Sequence, residues 1–177
     1  MKRAALCLFL TGTAFAGGGG APPPPTDDAL RPLRGLSGRA FDLAWLDEMT
    51  GRQTVLGGLS ELERRYGQQP ELKAWAARDL PLRQAAVLRL QTLRAQVEPP
   101  QSVSSTDVIV AIANGSEADF LNRFDSFFLA EYAKASAQVS ALARLALSRS
   151  QHPALRREAS ALLRNEERRR SGLKEFR

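Results

Sequence analysis

Apolar residues recur at helical spacing in four stretches of the chain, separated by breaks rich in proline, glycine or polar residues. The first stretch carries Trp45, Met49, Leu56, Leu59 and Leu62, and the third carries Phe124, Phe128, Ala135, Val139, Leu142 and Ala146. Each is one apolar stripe on an amphipathic helix. Pro70 and Pro153 stand where a further helix begins after each of these, because a first-turn amide has no intrahelical partner to lose. Those second helices continue through Leu72, Ala76, Leu80, Val87 and Leu90, and through Leu155, Ala159, Leu162 and Leu173. Pro81 falls inside the former and is expected to kink it near Ala77 to Leu80, where the ring meets the preceding turn.

The two halves are copies of one unit. Phe41-Asp42 recurs as Phe124-Asp125, an offset of 83 residues that continues without a gap. Glu48 then matches Glu131, Leu59 matches Leu142, Gln68 matches Gln151, Pro70 matches Pro153 and Ala76 matches Ala159. A single amphipathic hairpin cannot bury its own stripe, but two packed face to face can. The expected fold is all-α: a four-helix bundle built from two tandem helical hairpins, residues 36–98 and 119–177, which together form one bundle.

The remaining segments read differently. Lys2 and Arg3, an apolar run from Ala4 to Leu10 and small residues ending Ala14-Phe15-Ala16 have the parts of a secretory leader, so residues 1–16 are expected to be a signal peptide. Residues 17–35 are rich in glycine and proline and are expected to form a disordered tether. A linker with a short helix is expected over 99–118, with Asn114-Gly115-Ser116 as a turn. No stretch is apolar for the roughly 20 residues a membrane span needs. Cys7, the single cysteine, lies in the leader, so the exported form has no disulfide and must be held by packing. The expected location is periplasmic or extracellular, in soluble form.

Charge narrows the partners. Without Lys2 and Arg3 the chain keeps 23 basic and 19 acidic residues, a mild excess. The cluster Arg168-Arg169-Arg170 has Glu166, Glu167 and Glu175 interleaved and reads as a solvated face of the last helix. The aromatics that a single-strand nucleic-acid binder interleaves with its basic residues are missing from it. An unknown protein or small ligand is therefore the expected partner, without nucleic acid.

The run from Leu36 through Ser37, Gly38, Arg39, Ala40, Phe41, Asp42, Leu43, Ala44, Trp45, Leu46, Asp47 and Glu48 to Met49 resembles the bacterial domain of unknown function 305. The segment Pro70 to Ala76, with Gln84, resembles that family's second-helix signature. Family 4142, a related exported helical domain, is a looser resemblance. The 305 resemblance implies an exported, ferritin-like bundle, with copper binding among its members. It also implies a methionine followed three residues on by two adjacent histidines, a donor set that suits soft or borderline metals. Here Met49 is kept, but Arg52 and Gln53 stand in the histidine positions, and Ala135 and Ser136 in the repeat. Arginine cannot ligate a metal and adds charge of the wrong sign.

The other candidates point the same way. Met49 reads as core packing before copper ligand, and His152, the single histidine, as a turn residue beside Pro153. These two are the weak metal candidates. Trp45 and Trp75 lie on the stripes and read as core. Glu48 and Glu131 occupy equivalent positions, but a di-iron bundle also needs Glu-x-x-His on two helices, which one histidine cannot supply. No serine or cysteine stands in a nucleophile context, and Gly17 to Gly20 lacks the lysine ending of a phosphate loop. The chain is thus expected to be no enzyme and to need no cofactor, copper being the alternative. Arg52 and Gln53 have a further reading, as a buried polar contact that sets helix register.

Overall fold

The computed structural model describes residues 29–98 and 123–176, together with the pairs Cys7–Leu8 and Val110–Ala111. Most of the expected leader, residues 17–28 of the tether, the linker helix and the turn at Asn114 lie outside the described residues. Four long helices make up the fold: α1 (Gly38–Tyr66), α2 (Pro70–Val97), α3 (Phe124–Arg149) and α4 (Pro153–Leu173). A two-residue antiparallel pairing joins β1 (Cys7–Leu8) to β2 (Val110–Ala111).

The tether ends sooner than expected. Ala29 and Leu33 are buried against the bundle, Leu33 in a 3-10 turn over Arg31–Leu33 with proline at its start. Gly35 and Gly38, both at positive φ, then swing the chain into α1, a conformation in which a β-carbon would be strained. Burying two apolar side chains outweighs the weak helix propensity of this stretch.

Within each unit a three-residue turn folds one helix back on the other. Gly67 to Gln69 separates α1 from α2, and Ser150 to His152 separates α3 from α4. Neither Gln69 nor His152 caps its helix with its own side chain. Asp125 does it for α2 from another helix, accepting from the amides of Gln68 at 2.7 Å and Gln69 at 2.9 Å. This contact, with the rings of Tyr66 and Phe124 6.2 Å apart, sets the start of α3 beside the α1–α2 turn. At the other end the indole N–H of Trp45 donates to the carbonyl of Leu142 at 2.8 Å.

The chain therefore runs up α1, down α2, down α3 and up α4. Glu98 and Arg123 thus stand at opposite ends of the bundle, about 40 Å apart at 1.5 Å per residue of α2. This is a four-helix bundle. Helix α1 packs on α2 and α3, and α4 on α3. The core that they enclose includes Phe41, Trp45, Leu56, Leu72, Phe128 and Val139, all fully buried.

Helix α2 runs from Pro70 to Val97 with Pro81 inside it and the proline ring exposed. An exposed interior proline still costs its helix an amide bond and a clash with the preceding turn. Pro81→Ala is accordingly expected to stabilise the bundle by about 1–3 kcal/mol. Urea unfolding measures this, and an unchanged or lower midpoint would show that the bundle uses the proline geometry.

Candidate functional site

The buried face of α2 is not the one its leucines suggest. Leu80 and Val87, expected on the stripe, are only half-buried. Asp79 and Ala86, one residue earlier in each case, are buried together with Arg83. Positions 72, 76, 79, 83, 86 and 90 form one helical stripe. An acid and an arginine therefore stand in the middle of the core seam, where the sequence reading expected leucine and valine.

Arg83 has no exposed surface, and its head group is matched on every side. Its Nε donates to Asp79 Oδ2 at 3.0 Å, one turn back on α2. Nη1 donates to Gln53 Oε1 of α1 at 2.9 Å and to Glu166 Oε1 of α4. Nη2 donates to Glu166 Oε2 at 3.2 Å and to the phenol oxygen of Tyr132 on α3. The grip on Glu166 is thus a fork with two parallel bonds, the strongest geometry open to an arginine. Arg83 and Glu166 lie 83 residues apart, which is the repeat offset, so they are one position of the unit seen twice.

A second ring of contacts closes round the first. Tyr132 Oη donates to Asp79 Oδ2 at 2.8 Å, and Ser60 Oγ donates to the same oxygen at 2.9 Å. Arg169 pairs with Asp79 Oδ1 at 2.6 Å and with Glu166 Oε1 at 3.2 Å. Ser136 Oγ donates to Glu166 Oε2 at 2.8 Å, while Arg170 donates to Ser136 and Ser140, each at 3.0 Å. Trp75 stacks edge-on against Tyr132 with ring centres 5.1 Å apart.

The electrostatics follow from this enclosure. Burial alone would loosen the proton on Arg83, but Tyr132, Glu166 and Asp79 more than offset it and raise its pKa. Burial pushes the Tyr132 phenol well above its ordinary value against the pull of Arg83. Near neutral pH the centre therefore holds a guanidinium cation and a neutral phenol. Glu166 accepts at both oxygens, whereas Asp79 accepts three bonds at Oδ2 and holds Oδ1 against Arg169 without a hydrogen bond.

Of the residues singled out from sequence, Met49 and Gln53 are in contact. Met49 is buried on α1 with its sulfur 4.0 Å from Gln53 Nε2, at the level of the Arg83 cluster. His152 is the N-cap of α4 in the α3–α4 turn, half-buried, with Nδ1 enclosed and unpartnered, so it is less open than the turn reading expected. Arg52 and Gln53 point apart: Arg52 pairs with Glu48 at 3.5 Å on the outside, whereas Gln53 is fully buried against Arg83. Ala135 and Ser136 are both buried. Glu131 pairs with Lys134 at 3.8 Å. Trp45 is buried and Trp75 half-buried against the core.

Glu166 and the arginines that follow it are not a solvated face: Glu166 is fully buried and Arg169 and Arg170 turn inward, leaving Arg168 exposed. The buried acid on α4 takes up the arginine three residues on, as helix spacing permits, while Arg170 reaches Ser136 and Ser140 of α3. Among the described residues no three of His, Cys, Asp and Glu gather as a metal site. A shallow groove of about 570 Å³ runs between α2 and α4, lined by Leu88, Leu93, Ala154 and Ala161 and bridged by Arg89 and Glu158 at 3.1 Å. Neither Arg52 nor Gln53 lines it.

Residues 20–93 match the family model described as Domain of unknown function (DUF4142). This supports the looser of the two resemblances, and it spans the first hairpin, including Gln53, Asp79 and Arg83 but neither Tyr132 nor Glu166. No curated protein matches the chain, and no solved structure does.

Arg83→Met keeps the length of the side chain and removes its charge, leaving Asp79 and Glu166 facing Arg169 with acceptors unfilled. A buried ion pair broken on one side typically costs about 3–5 kcal/mol, and this loss is expected in urea unfolding of the variant. A loss under about 1 kcal/mol would mean that the cluster is not what holds the helices in register.

Proposed function

We propose that this chain is a non-catalytic, exported helical bundle that serves as a binding or structural module, with a ferritin-like arrangement whose centre is held by an arginine rather than a metal. The observation that carries the reading is Arg83, which occupies the middle of the four helices and takes up two buried carboxylates there, Asp79 and Glu166. In this proposal the resemblance to domain 305 marks descent from a metal-holding bundle, and Gln53 stands in an old ligand position but serves a guanidinium. The leader pattern of residues 1–16 supports export, and no described helix is long and apolar enough to cross a membrane. The partner is an unidentified protein or small ligand.

The test is titration of the chain, purified without a histidine tag, with Cu(I), Cu(II) and Zn(II) against competing chelators. No tight stoichiometric binding is expected, and Met49→Leu is expected to behave as the parent does. Tight binding of one ion per chain, weakened by Met49→Leu, would overturn the reading in favour of residual copper handling.

A further inference from the structure

Where α1 turns into α2, Glu63 is fully buried and neither of its carboxyl oxygens accepts a hydrogen bond. It stands one turn before Gly67, whose amide donates to the Glu63 carbonyl at 2.9 Å. A β-carbon on Gly67 would lie 2.0 Å from Glu63 Oε1, so the carboxyl group fills the space that a side chain would need there. The turn is built around this acid.

Asp125, in the first turn of α3, stands at the same turn and within hydrogen-bonding reach of that carboxyl group. Its two oxygens already hold the amides of Gln68 and Gln69 and so tie α3 to the turn. Two carboxyl groups enclosed together cannot both ionise without cost, and the Asp125 oxygens are already taken up by the two amides. Glu63 then holds the proton that lies between them. Burial first and Asp125 second raise Glu63 to about 7, while Lys73 of α2 pulls the other way. Asp125 from α3 and Lys73 from α2 are the charged groups that act on it.

We propose that Glu63 and Asp125 form a proton-operated latch, closed while Glu63 donates to Asp125 and opened when loss of that proton sets two buried carboxylates against each other. Its opening frees the start of α3 from the α1–α2 turn. The direction follows from linkage: the folded chain binds this proton more tightly than the unfolded chain, whose glutamate titrates near 4.5. The contribution is complete below the unfolded value and is lost as pH rises through about 7.

The carboxyl carbon of Glu63, followed by NMR in the intact chain, is expected to titrate with a midpoint near 7. A midpoint in the ordinary glutamate range, near 4 to 5, would overturn the latch. Protection of the Gln68 and Gln69 amides, corrected for intrinsic exchange, should fall about tenfold or more between pH 6 and pH 8.5, as a shift of one pKa unit corresponds to a factor of ten. In Glu63→Gln, whose amide donates at every pH, protection should stay level over that range. A parallel fall in parent and variant would assign the change to another group.

Discussion

A guanidinium taken out of water loses solvation worth several kcal/mol, and only close, complete pairing offsets that loss. Arg83 receives such pairing from all four helices at once: Gln53 from α1, Asp79 from its own α2, Tyr132 from α3 and Glu166 from α4. A leucine in the same place would tolerate a helix sliding by an ångström or rotating by several degrees. The fork of bonds to Glu166 tolerates neither, since hydrogen bonds weaken steeply with misalignment. The apolar core supplies the drive to collapse, whereas the polar centre selects one register among the packings that the core alone would accept.

The architecture was legible in the sequence because its signals are local and repeated. Stripe spacing marks the helices, Pro70 and Pro153 mark where the second ones begin, and the 83-residue offset shows that one solution is used twice. The centre was not legible for a related reason. A stripe is read by its apolar members, so Leu80 and Val87 drew the face of α2 toward themselves, away from Asp79 and Arg83. A side chain as long as arginine is ordinarily taken for surface, and nothing local to α2 says that a carboxylate waits 83 residues on.

The last helix carries the same lesson. Interleaved glutamates and arginines look alike whether they face water or one another across a core. Helix α4 uses both: Arg168 stays in solvent while Glu166, Arg169 and Arg170 turn in. The repeat register held the missing information, since a charge in one copy is best explained by its opposite at the matching place in the other. The polar break seen at Gln53 was the visible edge of this cluster, and its partner lay on another helix.

Arg83 and Glu166 lie at matching places of the two units, and they touch. A position that meets its own counterpart lies on the axis relating two copies. In a symmetric pair of identical hairpins, any residue on that axis faces itself, so a charge there is met by the same charge and only neutral or jointly liganded side chains can be enclosed. Joining the copies in one chain removes that restriction, since each codon can then change alone. A cation opposite an anion at such a place is not open to two identical chains. The centre of this bundle thus belongs to the single-chain form, and two separate copies of either hairpin could not reproduce it.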